Sequence, residues 1–134
     1  MTAMEYTVDD GIQILERTPA TLRAMLEGLD PTWTDATEGP DTWSPYIILG
    51  HLIHGERGDW ITRAAIILGT DESQAFAPYD RFAQLHESAG KSLVMLLDEF
   101  ATVRARRGRA MATVSADHGP LTQSAFHRLH HAIL

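Results

Sequence analysis

The chain has 134 residues, 18 acids against 11 lysines and arginines, and no cysteine. Disulfides, thiolate metal sites and a cysteine nucleophile are excluded. The net charge of −7 argues against a general nucleic-acid binder, whose affinity rests on neutralising phosphates. The length and a hydrophobic share of 44% fit one globular domain over residues 1–134. No apolar leader and no long uncharged apolar run is visible, so a cytoplasmic protein with no membrane partner is expected.

A first helix is predicted from Thr7 or Val8 to Gly28. Thr7, Asp9 and Asp10 suit its start, where acids complement the helix dipole. Ile12, Leu15, Leu22, Leu26 and Leu29 recur at helical spacing and form its apolar stripe. Pro19 should bend this helix near Arg17 and Thr18. Residues 30–43, DPTWTDATEGPDTW, are rich in turn formers and read as a loop. Trp33 and Trp43 are expected to fold back over the bundle end, as core plugs or as pocket walls.

The second helix, Ser44 to Gly69, is the predicted centre of the chain. Ser44 is a natural N-cap, Pro45 suits the first turn, and Gly69 suits the end. Apolar residues surround it nearly all round, which places it inside a bundle. Gly50, Gly55 and Gly58 each cost about 1 kcal/mol against alanine, so a neighbour or a ligand should come close to them. His51, His54, Glu56 and Asp59 lie in this apolar setting. Asp59 and Arg63 read as an i,i+4 pair. Glu56 reads as a partner to an imidazole N–H or as a salt link to a neighbouring arginine.

A loop is predicted over residues 70–79, and then a third helix capped by Asp80. Its stripe is Phe82, Leu85, Ala89, Leu93, Leu96, Phe100 and Val103, with Glu87 and Lys91 as an i,i+4 pair. No strand shows convincing alternation, so the predicted class is an all-α helix bundle. Beyond Val103 the charge reverses: residues 104–134 hold 5 bases and 1 acid, whereas residues 1–103 hold 6 bases and 17 acids. Arg104, Arg106, Arg107 and Arg109 read as a solvated C-terminal turn suited to the dipole, or as a phosphate or nucleic-acid patch. Residues 113–122 read as a loop, and a short last helix is expected over about 122–134 with Phe126, Leu129 and Ile133 as its apolar face.

His127 and His131 are four apart, so on a helix they share a face. Such a pair commonly supplies two metal ligands, and His51 is a candidate third, leaving open positions of the catalytic kind. The alternative is a surface cluster of His127, His130 and His131 beside an ordinary core histidine.

Taken together, ILERTPATLRAMLEGL, TWSPYIILGHLIHGERGDWITR, the Phe and Asp of FAPYDRF, and LLDEFATVRAR resemble the DinB-like superfamily over about residues 8–106. The pattern Trp43-x-Pro45 followed by His51-Leu52-x-His54-x-Glu56 carries most of the likeness. The resemblance implies a four-helix up-down-down-up bundle, often a homodimer. It also implies a divalent metal on three histidines, which match His51, His127 and His131. Zinc or nickel suits such ligands, with iron also accommodated. Relatives include transferases and isomerases that use low-molecular-weight thiols such as mycothiol or bacillithiol. The tail departs from the pattern. Arg128 stands where an acid is expected, and residues 107–134 read as a short, truncated or frame-altered substitute for the fourth helix. Two functions follow as expectations: a metal-dependent enzyme, or a metal-free helical module for self-association or partner binding.

Overall fold

The computed structural model describes residues 7–58, 60–68 and 78–118. Among them the chain is all-helical: α1 (Val8–Leu26), α2 (Pro31–Thr34), α3 (Pro45–Gly58), α4 (Trp60–Leu68), α5 (Ala83–Glu87) and α6 (Leu93–His118). No described helix is long and apolar enough to cross a membrane.

Thr7 starts α1 with a capping box: its hydroxyl accepts from the Asp10 amide, and the Asp10 carboxylate accepts from the Thr7 amide. Pro19 lies inside this helix and cannot donate to the carbonyl of Leu15. The missing bond is replaced from outside, because Arg104 Nη1 of α6 donates to that same oxygen at 3.3 Å. The stripe of α1 is only partly covered. Leu22 packs on the core, whereas Leu15 and Leu29 are exposed.

The core lies between α3 and α6. Leu49 and Ile53 from α3 meet Leu96, Leu97, Phe100 and Val103 from α6, with Leu22, Tyr46, Leu52 and Leu93 packed around them. α3 begins as expected, with Ser44 Oγ accepting from the Ile47 amide at 3.3 Å. It is not apolar-buried on every side, since Ile48 is exposed. Tyr46, Gly50 and His54 share one face at i,i+4 spacing, and this face carries the α5 segment. The Tyr46 hydroxyl lies 2.7 Å from the carbonyls of Ser88 and Lys91. At Gly50 a Cβ would meet Gln84 Oε1 at 3.0 Å and Ser88 Oγ closer still, so only glycine allows this approach. His54 Nδ1 meets Glu87 Oε2 at 3.0 Å. Gly58, by contrast, faces open space.

Six expectations are corrected. The loop expected over residues 30–43 holds the short helix α2, capped by Asp30 Oδ1 accepting from the Thr32 amide at 2.8 Å. The third helix is two helices: Gly90 adopts φ +76°, and Ser92 caps α6 by accepting from the Met95 amide at 3.2 Å. Phe82, Leu85 and Ala89 are exposed and do not extend the stripe of α6. Glu87 and Lys91 do not pair; Glu87 bonds His54, and Lys91 bonds Glu99. The segment 113–118, expected as loop, belongs to α6, since TVSADH holds neither Gly nor Pro to break a helix. Trp33, expected over the bundle end, is 70% exposed. Asp59, Gly69 and the expected last helix lie outside the described residues.

Candidate functional site

His51 sits one position beyond Gly50 on α3, about 100° round the helix from the face that holds α5. Two aromatic rings wall it in. The Trp43 ring, from the segment leading into α3, lies 5.0 Å away centre to centre, and the Tyr79 ring meets it edge-on at 5.7 Å. Trp43, half-buried, therefore packs against His51 and lies outside the buried core. Tyr79 also leans on His54 at 5.2 Å, so one ring spans both imidazoles. The Arg81 guanidinium stacks over Phe82 at 4.9 Å and lies 5.9 Å from the Trp43 ring centre.

His51 Nδ1 is buried and has no hydrogen-bond partner among the described residues. Such an atom needs an explanation, because buried polar groups are normally satisfied. Burial holds the imidazole below its usual range, and the positive neighbourhood of His54 and Arg81 adds to this. The ring is thus kept neutral, with one nitrogen carrying a lone pair, which is the form a metal ion binds. His54 differs, being oriented by the Glu87 carboxylate.

Glu56 is not a partner of either imidazole. It faces the other way and pairs with Arg104, Oε1 to Nη2 at 2.6 Å, in nearly full burial. Desolvation raises the Glu56 carboxyl above its ordinary range, opposed by the charges of Arg104 and Arg107. Arg104 also lies 4.9 Å over the Phe100 ring. Arg107 donates to the carbonyls of Glu56 and Arg57. The arginine run is therefore not a solvated C-terminal turn. It lies within α6, and Arg107 caps the last turn of α3 instead of its own helix.

Of the three predicted metal ligands, the described structure contains only His51; His127 and His131 lie outside the described residues. Among the described residues no three His, Asp or Glu side chains form a group that could hold a metal ion. Tyr79 and Glu87 were missed as neighbours of the histidines. Tyr79 adjoins the Asp of FAPYDRF, but its distance of 28 residues from His51 leaves no periodic signal. Glu87 falls four residues before Lys91, a spacing that implies a pair only if one helix runs through Gly90.

A family model described as the DinB superfamily matches residues 14–132, and so runs past Arg106, where the sequence likeness was taken to end. Among solved structures, YfiT from Bacillus subtilis aligns with a TM-score of 0.64 at 23% identity. The alignment covers 94% of this chain and 70% of that one. YfiT is described as a probable metal-dependent hydrolase with an unusual four-helix bundle topology. At that identity the likeness speaks to the fold. The comparison with curated proteins returned no match.

Proposed function

The chain belongs to the DinB superfamily, and from that premise we propose that it is a divalent-metal-dependent enzyme whose ion is held by His51, His127 and His131. One observation carries the reading: a half-buried imidazole, held below its usual pKa range, whose buried Nδ1 has no partner among the described residues. The donor set fits the group, since neutral imidazoles suit zinc or nickel and also accommodate iron. A bound ion would supply a Lewis acid and lower the pKa of a thiol or water.

The chain's own residues have definable parts in this. His51 presents the ligand atom. Trp43 and Tyr79 set apolar surface against its ring, which favours the neutral imidazole. Glu87 fixes the orientation of His54 on the adjoining face. For the reaction we favour thiol-dependent transfer or isomerisation with a low-molecular-weight thiol, in a homodimeric, cytoplasmic protein. Hydrolysis, the activity named for YfiT, would draw on the same ion. The second reading, a metal-free module for self-association, draws on exposed apolar side chains such as Ile14, Met25, Val94 and Met95.

Elemental analysis of purified protein separates the two. The enzyme reading predicts about one divalent ion per chain, with most of it lost in His51→Ala while helical circular dichroism is kept. A protein that folds fully without metal, or a His51→Ala variant that keeps it, favours the module.

A further inference from the structure

A cavity of about 490 Å³ opens between the last turn of α3 and the middle of α6, lined by residues other than those around His51. Its charged lining is Arg57, Arg106 and Arg107 against one acid, Glu99. That acid is already answered twice. Lys91 Nζ lies 2.9 and 3.1 Å from its two oxygens, and Arg57 pairs with it as well. Arg107 is held in place by two backbone carbonyls, which fix its guanidinium without cancelling its charge. No ion pair among the described residues engages Arg106. Three arginines therefore line the cavity with one carboxylate, which Arg57 and Lys91 already engage, in a chain whose net charge is −7.

We propose that this cavity binds a small oxyanion of at least two negative charges, through phosphoryl or carboxylate oxygens. Guanidinium groups match both through N–H donors: Arg106 offers a whole fork, and Arg107, whose Nε and Nη2 are held on backbone carbonyls, presents Nη1 from a fixed position. The volume falls within the range of about 300–1,000 Å³ usual for small-molecule sites. A nucleic acid is a poorer fit, because a long polyanion would leave the cavity and meet the acidic remainder of the surface. The site does not depend on the metal reading.

Calorimetric titration of the full chain with inorganic phosphate, and separately with succinate, tests this at low ionic strength. Saturable binding is expected that weakens as salt is added. Arg106→Glu, at an exposed position that leaves the fold intact, should lower the affinity about tenfold or more. Glu99→Gln should raise it several-fold by releasing Arg57 and Lys91. His51→Ala should leave it unchanged, which separates this site from an anion on a histidine-bound ion. Tighter binding of phosphate assigns a phosphoryl ligand, and tighter binding of succinate a carboxylate. The proposal is overturned by absence of saturable binding for both probes, by wild-type affinity in Arg106→Glu, or by loss of binding in His51→Ala.

Discussion

A carboxylate that is only 7% exposed must be either neutral or paired, and Glu56 is pulled both ways. Burial raises its pKa above 4.5, while Arg104 and Arg107 draw it back. Because the net shift is upward, the folded state holds the proton more tightly than the unfolded chain. The stability linked to it is fully present below the unfolded value and is lost as pH rises through the folded one. Wild type should therefore gain on Glu56→Gln in chemical denaturation as pH falls from 7 towards 4.5. If wild type loses ground over that window, Arg104 dominates and the argument from burial is wrong. Glu56→Ala should cost about 3 kcal/mol at neutral pH, since it strands the buried Arg104 charge. The sequence left Glu56 with two roles, because spacing along one helix does not say which neighbouring helix supplies a cation.

At the scale of elements, Pro19 and Arg104 show how one helix repairs another. The proline removes the partner of the Leu15 carbonyl, and Arg104 supplies a new one across the interface. A double-mutant cycle should reveal this coupling. Arg104→Ala orphans the carbonyl in a proline background but not in Pro19→Ala, so the double variant should be more stable than the sum of the singles by about 0.5–1.5 kcal/mol. Strict additivity would mean that the contact contributes nothing. The limits of α1 and the start of α3 were legible because their caps are local: Thr7 with Asp10, and Ser44 before Pro45. The division of α5 from α6 was also written locally, in Gly90 followed by Ser92. It was masked by chance apolar spacing at Phe82, Leu85 and Ala89, which turn out to be exposed. Periodicity describes what a helix would bury, not whether the chain stays helical.

For the molecule as a whole, the all-α class and the core residues Leu96, Phe100 and Val103 were legible in apolar patterning, whereas their pairing with Leu49 and Ile53 was not. The surroundings of His51 did not, because Trp43 and Tyr79 reach it from segments without periodicity. The basic run was visible as charge, but its division of labour was not. Arg104 is spent on a buried acid, Arg107 on the end of α3, and Arg106 is left to the cavity. These assignments come from the crossing of two helices, which no single stretch of sequence encodes.

The central proposal is that His51, flanked by Trp43 and Tyr79 beside the α3–α6 core, is a metal ligand completed by His127 and His131. X-ray diffraction from crystals of the metal-loaded protein, recorded at the absorption edge of the ion, tests it most directly. An anomalous peak about 2.1 Å from a ring nitrogen of His51, and equally near His127 and His131, is the predicted result. A peak elsewhere, or a protein-supplied hydrogen-bond partner on His51 Nδ1 with no ion beside it, would contradict the account.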